Sequence, residues 1–371
     1  MFHGFFNTQI IFPVVYVLVA YLSDQERLWL HRLCALWAGF VSIYGIFQFT
    51  HLALMGTISR SEAFLGNPNA LGSFLIVAWF AAKESEPDGS ERGILVEILR
   101  RIEPVILTAL ALTLSMGSFL SMAVGVLVLL TQKSRSCTWN EWISFTLHMA
   151  AKGILGIGPG VLLYFTTAMT DIVWINAFII LYLFFLALYW PVFDRFLSAF
   201  KWFASIITAS GLVSAVGMLL LRTNAADTFI ERFQMMRNGL GYLFQNPILG
   251  LGPYQWRPLN RVDGDIYFNT WHIHNSILHI GVELGLIAMT MAIIILVRRY
   301  RKGGAEIAGF TAFLCHNLID VSFFYPGITS LAILTTAVPN KSGHPLSRLA
   351  TGAFFAVFFA IFVCTGFHDA F

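Results

Sequence analysis

Apolar residues in this chain fall in long uninterrupted runs, without the alternation of half-buried strands. IIFPVVYVLVAYL, GSFLIVAWFAA, INAFIILYLFFLALYW and GLIAMTMAIIILV each lack charge and end at polar clusters. A bilayer core takes about 20 apolar residues per helix. The pattern predicts about twelve spans, near 8–22, 33–54, 66–82, 96–113, 117–131, 143–165, 173–193, 200–221, 274–297, 304–321, 326–338 and 347–367. The runs 117–131 and 326–338 are short, so the expected range is ten to twelve. The fold expected is all-α and polytopic. Residues 1–221 hold about eight spans, 222–273 form one long loop, and 274–371 hold the remaining spans.

Within the loop, DTFIERFQMMRNGLGYLF sets Phe229, Phe233, Met236, Leu240 and Leu243 or Phe244 at helical spacing. This predicts an amphipathic helix lying on or dipping into a membrane surface, with Asp227 placed to cap its start. NPILGLGPYQW then breaks it, with Gly252 among the turn formers expected to pack against the span mouths.

Composition agrees with the pattern: 57% of the residues are hydrophobic and 12% charged, against about 25% charged in soluble domains. The net charge of +3 says less than its placement. Positive charge near span ends marks the cytoplasmic side. Arg298, Arg299, Arg301 and Lys302 define that side, and Arg27 with Arg32, Lys83 with Arg92, Arg100 and Arg101, Lys133 with Arg135, Arg195 with Lys201, and Lys341 with Arg348 fall on it too. The loop then lies on the extracytoplasmic side, yet it carries Arg222, Arg232, Arg237, Arg257 and Arg261. Long loops escape the charge rule. These arginines either meet lipid head groups and nearby carboxylates or receive an anionic ligand, because a guanidinium offers phosphate two parallel hydrogen bonds and keeps its charge. Arg232 and Arg237, five residues apart, face about 140° apart around a helix. MFHGFFNTQ does not read as a removable signal. The four cysteines, Cys34, Cys137, Cys315 and Cys364, show neither a disulfide framework nor thiolate metal spacing.

The densest chemistry is WHIHNSILHIGVELG, with His272, His274, His279 and Glu283. It can be a metal site, a set of structural polar groups, or one reactive histidine with incidental neighbours. The membrane sides separate the histidines by depth: His272 in the loop, His274 at a helix mouth, His279 inside the span with Glu283. Helical geometry does not converge them at the roughly 2 Å a zinc ion requires, and no metal or other cofactor is expected. A helix N-terminus carries about half a positive charge, which disfavours imidazolium and keeps His274 neutral, as a general base must be. Asn275 can cap the helix or orient a substrate. Two more features fall on the same side. In SRSEAFLGNPNALG, Arg60 precedes Asn67-Pro68-Asn69. Pro68 holds Asn67 extended and Asn69 is placed to cap the next helix. In CHNLIDVSFFYPG, His316 and Asp320 stand four apart, either a structural pair or part of a site.

RSEAFLGNPNALG, ERFQMMRNGLGYLFQNPILGLGPYQW, HNSILHIGVELGLIAM and HNLIDVSFFYPG, in that order across most of the chain, resemble the O-antigen ligase and polymerase superfamily. His274, Asn275 and Gly285 fit that family's His-Asn pattern, while Ala288 departs from its last position. The family's Ser-Arg-Gly turn is TLSMGSFLS here, with Met116 in place of the arginine, which leaves Arg60 or Arg222 to substitute for it. The resemblance implies a GT-C membrane glycosyltransferase of the bacterial inner membrane, with its site facing outward. Such enzymes move a glycan from an undecaprenyl-diphosphate-linked donor to a hydroxyl on a glycan, lipid or protein, with inversion and without metal. Carried over, His274 is the base, Arg232 and Arg237 bind the diphosphate with Arg60 and Arg222 as further candidates, and Asn275, Asn69, Gly252, Asp320 and His316 shape the site. The partners expected are that donor, the acceptor and the lipid bilayer, with no nucleic acid. Two other readings stand beside it: a small-solute or inorganic-carbon transporter, and a non-catalytic polysaccharide-assembly protein. Polar groups gathered at one face, and not at the midplane of repeated halves, weigh against transport.

Overall fold

The computed structural model describes residues 12–86, 93–170, 173–221, 225–263 and 270–336. Arg222 and the expected span at 347–367 lie outside them, as do parts of 8–22 and 326–338. The described residues are all-helical. In chain order the helices are α1 (Phe12–Tyr21), α2 (Asp24–Leu54), α3 (Pro68–Glu84), α4 (Ile94–Arg101), α5 (Glu103–Leu112), α6 (Met116–Ser134), α7 (Trp139–Met169) and α8 (Val173–Leu188). They continue with α9 (Trp190–Ala199), α10 (Lys201–Leu221), α11 (Ala225–Gln245), α12 (Trp256–Asp263), α13 (Ser276–Lys302), α14 (Ile307–Asn317) and α15 (Pro326–Thr336). Four of these, α2, α6, α7 and α13, are long and apolar enough to cross a membrane, and a fifth span results if the bent pair α8–α9 is one. The protein is therefore a helical membrane protein.

Two expected spans divide. The run 96–113 becomes α4 and α5, separated at Ile102, because Pro104 in the first turn of α5 lacks the N–H that a continuous helix would use there. The run 173–193 bends by 70° between α8 and α9, where Pro191 imposes the same break.

α3 forms the centre. Every residue from Ala70 to Ala81 is buried, as befits a helix apolar on all faces. Around it pack α2, α5, α6, α14 and α15, with Phe74, Leu75, Trp79, Ile106, Leu110 and Ala312 in one core. α7 lies close against α5 because Gly156 and Gly160 are four apart: a Cβ at Gly160 would stand 2.4 Å from the Thr108 carbonyl oxygen. Small residues at this spacing let helices approach where water supplies no hydrophobic drive.

α3 and α5 run in opposite directions, so their ends define two ends of the molecule. Asn67 caps α3 at the end where α5 finishes at Thr113, and Lys83 lies at the end where α5 begins at Glu103. From Asn69 to Lys83 is fourteen residues, about 21 Å of helix.

α11 packs on α13 through Met235, Gly239 and Leu243, which meet Ile273, Leu278 and Val282. Of the apolar face expected to meet a membrane surface, Leu243 and the half-buried Met236 turn toward α13, and Phe233, Leu240 and Phe244 stay outward. Phe233 and Phe244 are 61% and 74% exposed, and Leu240 is exposed with them. The helix is apolar on two sides: the small, flexible side chains fit the protein, and the bulky ones, with Ile230, face outward. That outer face suits a lipid surface.

Candidate functional site

The loops and helix ends near Asn67 converge on one cluster. At its base, Asn67 is the N-cap of α3, in extended geometry (φ −152°, ψ 121°), and its Oδ1 accepts the N–H groups of Asn69 and Ala70 at 2.8 and 3.2 Å. The cap is thus Asn67 and not Asn69, because Pro68 occupies the first helical position and places the helix start one residue earlier. Asn69 is free to receive Arg60, whose guanidinium donates to Asn69 Oδ1 at 2.6 Å and to the Thr113 carbonyl at 2.7 Å. Arg60 therefore ties the start of α3 to the end of α5.

α6 begins at Met116, three residues beyond Thr113. Ser115 caps it, accepting from Ser118 N–H at 3.3 Å. Ser118 Oγ stands 3.1 Å from His316 Nε2, and Ser322 Oγ stands 3.0 Å from His316 Nδ1. His316 is fully buried between these hydroxyls and makes no bond to Asp320. The expected i,i+4 pair fails because α14 ends at Asn317, so Asp320 is not on the same helix. Asp320 turns instead to α11: its Oδ2 accepts from Arg232 Nη2 at 3.1 Å, while Arg232 Nη1 donates to the Ile319 carbonyl at 2.8 Å. A guanidinium has five N–H donors, and these bonds among the described residues engage two. Arg232 also passes beside the start of α6, where a Cβ on Gly117 would lie 3.9 Å from its Nη1. An arginine of α11 thus stands beside the start of α6, next to Met116.

Asn275 caps α13, accepting from Leu278 N–H at 2.9 Å, and its Nδ2 donates to the Leu318 carbonyl at 3.2 Å. This second bond fastens the mouth of α13 to the end of α14. His274, one residue earlier, lies within electrostatic reach of both Asp320 and Arg232. Its Nδ1 is buried with no hydrogen-bond partner among the described residues. Burial pulls its pKa below the ordinary histidine value; Asp320 opposes that shift and Arg232 reinforces it. The imidazole is neutral at pH 7 and able to accept a proton.

The other histidines do not separate by depth as expected. The chain before α13 folds back, so that His272 Nδ1 lies 3.1 Å from His279 Nε2, and His272 stacks on Phe324 at a centroid distance of 4.0 Å. Ile273 N–H donates to His279 Nδ1 at 3.4 Å. That assigns the proton to His279 Nε2, which donates to His272, with Glu283 Oε2 at 3.6 Å from the same nitrogen. Burial lowers the His272 pKa to about 4, with His274 adding to the shift. No group of three His, Cys, Asp or Glu among the described residues could hold a metal ion.

Two expected site residues lie elsewhere. Arg237 is exposed on the outer apolar face of α11, between Phe233 and Leu240. Arg222 is outside the described residues. Gly252 (φ 95°) belongs to a turn sewn along α13: Leu251 and Gly252 N–H donate to the Val282 and Glu283 carbonyls at 2.8 and 3.0 Å, and Leu286 N–H to the Pro247 carbonyl at 2.7 Å. α13 can accept this stitching because Gly285 leaves helical geometry (φ 82°, ψ 174°), and a Cβ there would stand 2.0 Å from Ile248 O. The turn grips the interior of α13 and not a helix mouth. Two residues that sequence reasoning passed over hold the cluster together. Asn317 Oδ1 accepts from Ser276, Ser322 and Phe323 N–H, and Tyr325 bonds Asn67. The His-Asn pair in HNLID was the available signal for the first.

Compared with known proteins, the chain matches no family model and no curated protein.

Proposed function

We propose that this chain is a membrane glycosyltransferase that uses a lipid-linked sugar diphosphate. The more particular reading is transfer of a glycan from undecaprenyl diphosphate to an acceptor hydroxyl at the extracytoplasmic face, on a GT-C-like fold, of the O-antigen ligase or polymerase type. The observation that carries it is the juxtaposition of His274, neutral with Nδ1 unpartnered, and Arg232, with three N–H donors left over beside Asp320. In the reaction, His274 takes the proton of the acceptor hydroxyl as its oxygen attacks the sugar carbon from the face opposite the diphosphate. The carbon–oxygen bond to the diphosphate breaks with inversion, and Arg232 stabilises the charge that gathers on the leaving group. Arg60 and Asn69 position the neighbouring helix ends. The His272–His279 pair and the Asn275 cap hold His274 at the mouth of α13. Holding donor and acceptor in line supplies much of the acceleration.

The test is reconstitution of the purified chain in proteoliposomes with a lipid-linked glycan donor and an acceptor. His274→Ala lowers transfer by about 10² to 10⁴-fold, the usual contribution of a general base. Full transfer by that variant rules out the assignment. Lipid-linked intermediates in a deletion strain separate the two subtypes: single repeat units accumulate if the chain is a polymerase, long chains if it is a ligase.

A transporter reading retains one observation, the 70° break between α8 and α9 beside the Lys152–Asp194 pair, whose lysine is buried. Uptake that persists without any lipid-linked donor favours it.

A further inference from the structure

At the end of α3 away from His274 lies a cavity of about 710 Å³, between α4, the starts of α5 and α9, and α7. Its floor is a network of opposite charges. Glu103 receives Lys83 at 2.7 Å, Lys152 at 3.0 Å, and the indole N–H groups of Trp79 and Trp190 at 3.1 and 2.9 Å. Lys152 also meets Asp194 at 2.5 Å, and His148 Nε2 lies 3.0 Å from the same carboxylate. Two lysines against two carboxylates leave this floor without net charge, so it does not select for an anion.

The rim differs. Arg100, Arg101 and Arg195 line it against Glu86 and Glu97. Arg101 is held at the rim by the Leu188 carbonyl, to which its Nε donates at 3.0 Å, and its Nη1 meets Glu97, whose side chain is 48% exposed. Such exposed pairs contribute little, and Nη2, with no bond among the described residues, is left for an incoming phosphate. Arg195 is exposed, its Nε donating to the Pro191 carbonyl at 3.2 Å. Beside these cations the surface is apolar: Ile94 and Ile98 on α4 are 83% and 47% exposed, and Val192 and Phe196 on α9 are 53% and 39% exposed. α4 and α9 are both short, one side apolar and the other charged, the pattern of helices that lie in the plane of a membrane interface. Cations at a cavity mouth with apolar side chains just outside match an amphiphile with a phosphate head, and not a free soluble anion. Basic pockets between membrane helices bind such head groups.

We propose that this cavity seats the head group of an anionic phospholipid, with its phosphate on Arg101 and Arg195 and its acyl chains leaving over Val192 and the exposed faces of α4 and α9. The site is separate from the His274 cluster and does not rest on the glycosyltransferase reading.

Native mass spectrometry of the full chain in detergent, titrated with phosphatidylglycerol, phosphatidylcholine or inorganic phosphate, tests it. Phosphatidylglycerol is expected to remain bound under activation that strips phosphatidylcholine, and excess inorganic phosphate leaves it in place. The double variant R101Q/R195Q weakens phosphatidylglycerol binding on the order of twentyfold, about fivefold for each arginine, while Arg298→Gln leaves it unchanged. Equal retention of the two lipids by the unmodified chain overturns the proposal, as does displacement of phosphatidylglycerol by inorganic phosphate. Undiminished binding by a folded R101Q/R195Q overturns it too.

Discussion

The two ends of α3 treat polar groups in opposite ways. Near Lys83, the buried carboxylate of Glu103 is surrounded by two ammonium groups and two indole N–H donors. Near Asn69, Arg232 meets one carboxylate and one carbonyl, and His274 Nδ1 is buried without a bond among the described residues. A buried polar group without a partner costs stability, and His148 Nδ1 beside the Glu103 network is one as well. What sets the His274 end apart is a neutral imidazole within electrostatic reach of an arginine with donors to spare, where the Glu103 end matches each of its charges with an opposite one.

The largest effect that separates the ends is expected at Glu103. Glu103→Gln removes the buried carboxylate that Lys83 and Lys152 share, and breaking a buried pair costs about 3–5 kcal/mol. Thermal unfolding in detergent shows a large loss of stability, while transfer per folded molecule stays within about twofold, since no reacting group has moved. A comparable loss of transfer per folded molecule contradicts the division of labour. Next comes Gly285→Ala, which places a methyl against the Ile248 carbonyl at a positive φ. Strain and overpacking there cost about 1–3 kcal/mol. Limited proteolysis reads it as release of the 246–256 turn, and an unchanged cleavage pattern contradicts the stitching.

Smaller effects sharpen the reactive end. Arg232→Lys keeps the charge but loses the planar fork that spans Asp320, Ile319 and a phosphate. It lowers transfer about tenfold, or about 1.4 kcal/mol in the barrier, with stability nearly retained. Arg237→Gln, on the outer face of α11, changes transfer by about twofold at most, as surface changes away from special features do. Equal losses at both arginines would restore the shared diphosphate-binding role first expected of them. Acid adds a last contrast. His272 titrates near 4 in the folded chain and about 6.5 when unfolded. Its folded pKa is lowered, so its neutral pairing contributes fully above about 6.5 and is lost as pH falls toward 4. His272→Gln removes that part of the acid sensitivity in an unfolding series.

The all-helical membrane character was legible in the uninterrupted apolar runs, and most helix positions followed from where those runs stop. The breaks at Ile102 and after Leu188 were also written in the chain, as Pro104 and Pro191, but hydropathy averages across a single proline. The candidate site was legible as a set of residue types. Its pairings were not. Asp320 pairs with Arg232, eighty-eight positions away, and local spacing offered it His316 instead, since nothing in a helical repeat announces that α14 stops at Asn317. The fold-back that joins His272 to His279 was hidden for a related reason: counting helical rise assumes a helix, and residues 270–275 are not one. α11 was half legible: its bulky apolar face was expected outward, but the inward one, formed by Met235 and Gly239, carries little bulk to announce it.

The central claim is that neutral His274 accepts the acceptor proton. Single-turnover transfer in proteoliposomes, followed from pH 4 to pH 8 for the unmodified chain and for His274→Ala, tests it most directly. Since the folded pKa of His274 is lowered, the account predicts a rate constant across neutral pH that falls on an acid limb below about 6.5. In His274→Ala that limb is absent and the rate lies at least about 100-fold lower throughout. The same acid limb and the same rate in both proteins would contradict it.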